Sequence, residues 1–165
     1  MRGSSRLRPR AGAPSSAPVP TTVYHTLPKS LPVAGKKRVL FVCIGNSCRS
    51  QMAEGFAKKY GHDCIAAQSA GLSPAAIVQD QTHQTMLARG VTLQGQFPKG
   101  IELLTREAFD LIVNMSGQAL PRMNGPVEAW SVKDPIGLSE EVYEDVAEQI
   151  EQRVMRLIAT MRGSR

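Results

Sequence analysis

The run Val39-Leu40-Phe41-Val42-Cys43-Ile44-Gly45-Asn46-Ser47-Cys48-Arg49-Ser50 sets out a thiol, a short polar loop, a guanidinium and a hydroxyl in chemically useful order. An apolar stretch ends on Cys43, and an amphipathic helical pattern starts near Ser50. Five residues, Ile44, Gly45, Asn46, Ser47 and Cys48, separate Cys43 from Arg49. That is enough chain to curl around a phosphate-sized ion, with the backbone amides turned inward as an anion nest. A helix N-terminus beside the nest has unpaired N–H groups and a favourable dipole for an anion. Gly45 and Asn46 are residue types that tolerate positive φ within such a curl. Only a thiolate is a good nucleophile, and both a helix N-terminus and a cation favour that form of Cys43. Arg49 can grip two oxyanion oxygens bidentately, which a lysine cannot copy. Ser50 is placed to donate a hydrogen bond from its hydroxyl to the thiolate. The expected chemistry is capture of a tetrahedral oxyanion and its attack by sulfur.

Such an attack calls for an acid at the leaving group. The best candidate is Asp134, within Trp130-Ser131-Val132-Lys133-Asp134-Pro135-Ile136-Gly137. A proline keeps the preceding residue out of the helical region, so Asp134 is expected in an extended loop. A strand reading just before it would aim that loop over the same sheet end as Cys43. The alternative role for Asp-Pro is an ordinary turn start.

These residues need a scaffold, and the chain alternates strand and helix signals. Residues 38–42 read as a buried strand and 50–60 as a helix with Met52, Ala53 and Phe56 inward. Residues 64–68 read as a second strand, followed by a helix over 75–89 stopped at Gly90. Strands are expected over 110–115 and 127–132. A long helix over 139–161 closes the chain, capped by Ser139, with Val142, Val146, Ile150, Val154, Leu157 and Ile158 as its apolar stripe. Strands separated by helices imply right-handed crossovers and a parallel sheet. The fold class is α/β: a single domain with a four-stranded parallel sheet flanked by helices and a phosphate-binding loop after the first strand. Ligands of such sheets bind at the carboxyl ends of the strands, where Cys43 and Asp134 both fall.

The 165 residues suffice for one domain. The net charge of +6 is uneven: residues 1–35 hold four arginines, one lysine and no acid, which leaves +1 for residues 36–165. Those first 35 residues also hold six of the eleven prolines, so they read as a disordered basic Pro/Arg/Ser-rich tail, and 36–165 as the folded domain. No specific nucleic-acid partner is expected from a tail of this kind. No apolar run approaches the roughly 20 residues that span a bilayer, and no secretory core is evident, so a cytoplasmic location is expected. Three cysteines argue against a disulfide scaffold. Zinc fits poorly: Cys43, Cys48, His62 and Cys64 lack ligand spacing, and Arg49 would repel a cation. No metal or cofactor is expected. Cys48 either forms a reversible disulfide with Cys43 or is a buried loop residue; Cys64 reads as core.

The segment Val39 to Glu54 closely resembles the signature of the low-molecular-weight protein tyrosine phosphatases. In Asn46-Ser47-Cys48-Arg49-Ser50-Gln51-Met52-Ala53-Glu54 it is more similar still to their arsenate reductase relatives, since the phosphatases usually have proline at the place of Gln51. Gln68-Ser69-Ala70-Gly71 and Asp134-Pro135 match two further family segments, and the similarity covers roughly residues 37–160. The resemblance implies Cys43 as nucleophile, Arg49 as anion clamp and Asp134 as general acid. It also implies that Asn46, Ser50 and Ser69 form the network that shapes the loop. A histidine that often supports this network is matched here by Gln96. The aromatic residue that usually follows Asp-Pro in phosphatases is replaced by Ile136-Gly137, as in the reductases. Thioredoxin-coupled reductases carry two downstream relay cysteines; this chain has none after Cys64, and Met115 stands at the first relay position.

The leading expectation is therefore a cysteine-dependent phosphomonoester hydrolase, tyrosine-phosphatase-like, working through a cysteinyl-phosphate. The alternative is an arsenate reductase that takes an external thiol or a glutaredoxin-type partner. A non-catalytic anion-binding module is a third reading, against which the intact Cys-x5-Arg-Ser and its acid both count.

Overall fold

The computed structural model describes residues 35–163. The basic tail read over 1–35 lies outside the described residues but for Gly35. Strand β1, Lys37–Cys43, runs through the middle of the domain. Its side chains alternate between two cores. Val39, Phe41 and Cys43 face one apolar cluster, and Leu40 and Val42 face the other. A strand covered on both faces needs an unbroken apolar run, which is what residues 39–43 supply.

Strand β2, Ile65–Gly71, lies parallel to β1, from Lys37 opposite Ile65 to Cys43 opposite Gly71. It therefore runs past Gln68, where the sequence pattern ends it, because pairing continues as far as Cys43. Strand β3, Leu111–Asn114, pairs parallel with β1 on its other side. Strand β4, Val127–Ala129, pairs parallel with β3 and is shorter than the expected 127–132. The order is β2-β1-β3-β4. This is the expected four-stranded parallel sheet, and the α/β assignment holds.

Helix α1, Arg49–Tyr60, starts directly from the loop after β1. Met52, Ala53 and Phe56 are fully buried, as their spacing predicts. Burying side chains the size of Met52 and Phe56 stabilises a fold by about 1.5–3 kcal/mol each, so the helix that frames the loop is anchored by its core face. Helix α2, Asp80–Ala88, is shorter than the expected 75–89. The preceding turn cannot be helical, because the Ala75 and Gln79 amides donate instead to the carbonyls of Gly45 and Ser47. Gly90, at φ 75°, follows the helix in the left-handed conformation that its position suggested. Helix α3, Glu140–Gly163, buries Val146, Ile150, Val154, Leu157 and Ile158 in the main core, while Val142, the first residue of the expected stripe, is only half-buried. Ser139 opens it through its carbonyl, which accepts from Val142 and Tyr143. A short 3-10 helix, Ile101–Leu104, was not legible in the sequence; it buries Ile101 and Leu104 in the second core.

Candidate active site

The loop between β1 and α1 is turned inside out relative to ordinary secondary structure. Every carbonyl of residues 43–48 has a donor. Leu72 N serves Cys43, Ser73 N serves Ile44, Ala75 N serves Gly45, and Met52 N serves Cys48. The Ser47 carbonyl accepts from Gln79 N and from the Thr82 hydroxyl. The Asn46 carbonyl accepts from Gln51 Nε2 at 2.9 Å. By contrast, no backbone N–H of residues 44–50 donates to another backbone group among the described residues. With carbonyls held outward, the amides are left facing the ring, where an anion can take them. The reversal turns on Asn46, a non-glycine residue with positive φ, at 48°. Of the two loop residues whose types tolerate that conformation, Asn46 takes it and Gly45 does not. The Cys48 side chain makes no capping hydrogen bond to the start of the helix, so the first turn of α1 is open as well.

Cys43 ends β1 at the base of this ring. Its Sγ lies 2.9 Å from Ser50 Oγ, and Ser50 Oγ accepts from Asn46 Nδ2 at 2.7 Å. Because Asn46 occupies a lone pair of that hydroxyl, the hydroxyl proton is free to point at sulfur, the role read for Ser50. Asn46 Oδ1 in turn accepts from the Lys99 amide at 3.0 Å. Ser69 stands one layer further back than expected. Its hydroxyl donates to Glu54 Oε1 at 2.6 Å rather than to the loop. Glu54 is buried, pairs with Lys58, and lies 4.0 Å from Lys99 Nζ. Ser69 thus supports the loop through Glu54 and Lys99. Burial pushes the Lys99 ammonium below the usual lysine range, against the opposing pull of Glu54.

Arg49 is buried and braced from the sheet. Its Nη1 donates to the Met115 carbonyl at 2.6 Å and to the Val132 carbonyl at 3.1 Å, joining the segments that follow β3 and β4. Its Nη2 lies 3.6 Å from Asp134 Oδ2. The side chain of Asp134 is 43% exposed, so it sits at the mouth of the site and not in its floor. Asp134 Oδ1 accepts from the Ile136 amide at 3.1 Å, a local turn that fixes the carboxylate's direction. The structure therefore brings Cys43, Arg49 and Asp134 to one end of the sheet, as the sequence reading required.

The other two cysteines are buried. Burial pushes the Cys48 thiol up to about 12, reinforced by the Cys43 and Asp134 charges and offset in part by a hydrogen bond with Thr82. Cys64 packs in the main core, as expected. Met115, at the first relay position, is buried and contributes its backbone carbonyl to Arg49.

Several residues that build the site had no assigned role in the sequence. Thr82 and Gln79 hold the Ser47 carbonyl from α2 and its approach. Lys99 holds Asn46. At Gly71 a Cβ would lie 2.7 Å from the Ile44 carbonyl oxygen and 2.8 Å from the Asn46 nitrogen. The signal for Gly71 was its place in Ser69-Ala70-Gly71; the others have no local signature.

Comparison with known proteins follows the same lines. Residues 38–165 match the model of a family described as low molecular weight phosphotyrosine protein phosphatase. The chain is 38% identical over 135 residues to a glutaredoxin arsenate reductase of Synechocystis sp., covering 74% of this chain and 97% of that protein. It is 32% identical over 136 residues to an arsenate reductase of Bacillus licheniformis, covering 76% of this chain and 97% of that protein. A solved structure of an arsenate reductase in the phosphate binding state is 38% identical, with a TM-score of 0.70, over 76% of this chain and 98% of its own.

Proposed function

The chain belongs to the low molecular weight phosphotyrosine protein phosphatase family, and within that family we propose that it is an arsenate reductase whose Cys43 adduct is resolved by external thiols. This reverses the order of the two enzyme readings drawn from sequence. The observation that carries it is the likeness, over nearly the full length of the relatives, to proteins named arsenate reductases. Gln51 and Ile136-Gly137 support it too. External thiols are favoured because Cys64 packs in the main core, no cysteine follows it in the sequence, and burial holds Cys48 in the thiol form, a poor nucleophile. A small thiol or a glutaredoxin-type partner fits that need.

The chemistry proceeds from the geometry. Arsenate enters the amide ring, and Arg49 neutralises its oxygens through the N–H groups not already held by Met115 and Val132. The Ser50 hydroxyl steadies the Cys43 thiolate. Sulfur attacks arsenic, an arsenic–oxygen bond breaks, and Asp134 supplies the proton with which that oxygen leaves as water. An external thiolate then attacks the Cys43 sulfur. The sulfur–arsenic electron pair passes to arsenic, which departs as arsenite, and a mixed disulfide remains on Cys43. A second thiol releases Cys43 and carries away the disulfide. The balance is arsenate plus two thiols to arsenite, one disulfide and water.

A second reading, phosphomonoester hydrolysis, is favoured by one specific feature: no downstream thiol is built into the chain, while an acid stands at the mouth beside Arg49. In that chemistry Cys43 attacks phosphorus, Asp134 protonates the leaving oxygen, and the same residue then activates water. Purified protein assayed with arsenate, glutathione and a glutaredoxin, with arsenite measured directly, separates the two. Arsenite formation dependent on Cys43 supports the reductase. Its absence, alongside steady hydrolysis of p-nitrophenyl phosphate, overturns it in favour of the phosphatase.

A further inference from the structure

Of the six loop carbonyls held outward, five are held at least in part by backbone amides. The Asn46 carbonyl is the exception. Its donor is the side-chain amide of Gln51. Asn46 is also the one non-glycine residue with positive φ among the described residues. The peptide with the least usual conformation is thus fixed by a single side chain, fully buried at the third position of α1.

Gln51 is fixed in turn. Its Oε1 accepts from Gln96 Nε2 at 2.8 Å, and its own backbone carbonyl accepts from the same nitrogen at 3.1 Å. This sets the amide's orientation: the oxygen faces Gln96, so the NH2 must face Asn46. The arrangement is a capping box turned round. In a capping box the side chain of the third helical residue accepts from a backbone N–H before the helix. Here it donates to a backbone carbonyl, so no loop N–H is taken from the anion.

We propose that Gln51 and Gln96 form a two-amide clamp that sets the oxyanion affinity of the loop by holding the peptide between Asn46 and Ser47 with the Ser47 N–H inward. Both are positioning residues. Gln51 acts on the loop, and Gln96 acts only through Gln51. The inference rests on reading this loop as the oxyanion site, but not on which reaction follows. Neither side chain titrates, so the clamp works equally across the pH range of the enzyme.

The test is calorimetric binding of inorganic phosphate and of arsenate to the full chain, with thermal unfolding in parallel. The variants are Gln51→Met, Gln51→Glu, Gln96→Met and the double Gln51→Met/Gln96→Met. Leaving a buried partner unsatisfied weakens binding by about 10-fold or more for Gln51→Met. Gln51→Glu keeps the shape and the acceptor but loses the donor, and it should not rescue binding. Gln96→Met is half-buried and should fold, with a loss of about 3- to 10-fold. The double variant should bind no worse than Gln51→Met, because the two act in series. Wild-type affinity in all variants, whatever their thermal stability, overturns the clamp while leaving the oxyanion reading intact. Fully additive losses in the double variant overturn the serial arrangement. Failure of the wild-type protein to bind either anion overturns both the clamp and the oxyanion reading.

Discussion

Gly71→Ala tests how tightly the loop is wedged against the end of β2. Gly71 pairs with Cys43, its amide donates to the Lys99 carbonyl at 2.9 Å, and its α-carbon faces the loop. An added Cβ would meet the Ile44 oxygen at 2.7 Å, the Asn46 nitrogen at 2.8 Å and the Asn46 Cβ at 3.0 Å. Two of those are backbone atoms, and the backbone has few ways to yield. Carbon and oxygen atoms in ordinary contact sit about 3.4 Å apart or more, so the loop must retreat by about half an ångström or more. Overpacking of this kind costs about 1–3 kcal/mol, enough to lower Tm by several degrees in a domain of this size. The Asn46 N–H is one of the ring donors, so the same displacement should weaken phosphate binding by about 10-fold or more, in line with the loss of a charge-assisted hydrogen bond. Differential scanning calorimetry and isothermal titration measure the two effects. Wild-type Tm with wild-type phosphate affinity would show that the loop is not seated on Gly71, and the packing argument would fail.

Four other outcomes follow from the structure. Cys43→Ser should abolish turnover, whether of arsenate or of aryl phosphate, while keeping phosphate affinity near wild type, because the amide ring and Arg49 remain; substantial residual turnover would remove Cys43 as nucleophile. Asp134→Asn should slow phenyl phosphate by about 100-fold or more but activated aryl esters much less, since only poor leaving groups need a proton; equal slowing across a leaving-group series would reduce Asp134 to an anchor for its turn. Cys48 is held as a thiol by burial, with its pKa raised to about 12, so peroxide should link it to Cys43 slowly at pH 7 and faster as pH rises toward 9. That same raised value has a stability counterpart. The proton is held more tightly in the folded state, so the contribution is present below the thiol's ordinary value near 9.0 and is lost as pH rises toward about 12. Alkaline unfolding that is unchanged in Cys48→Ala, or a disulfide rate that ignores pH, would contradict this.

Much of the molecule was legible in the chain because the deciding interactions are local. Cys43, the five loop residues, Arg49 and Ser50 are contiguous, so spacing alone fixed the curl and the start of the helix. Proline after Asp134 dictated an extended loop. The periodicity of residues 146–158 wrote out the buried face of α3, and the unbroken apolar run of 39–43 implied a strand covered on both sides. What the chain did not disclose depends on partners far along it. Nothing near residue 75 says that its amide will serve the Gly45 carbonyl, so the helical pattern there overran by five residues. Nothing near Gln68 says that β1 will carry the pairing on to Gly71. The outward carbonyls of the loop are held by residues 51–82, Gln51 is oriented by Gln96, and Arg49 is braced by the segments that follow two other strands. Ser69 was recognised, but only folding placed Glu54 and Lys99 between it and the loop. The residue types for oxyanion chemistry are a property of the sequence. The inversion of the loop that exposes its amides is a property of the tertiary structure, because a backbone carbonyl turns outward only when something distant is there to receive it.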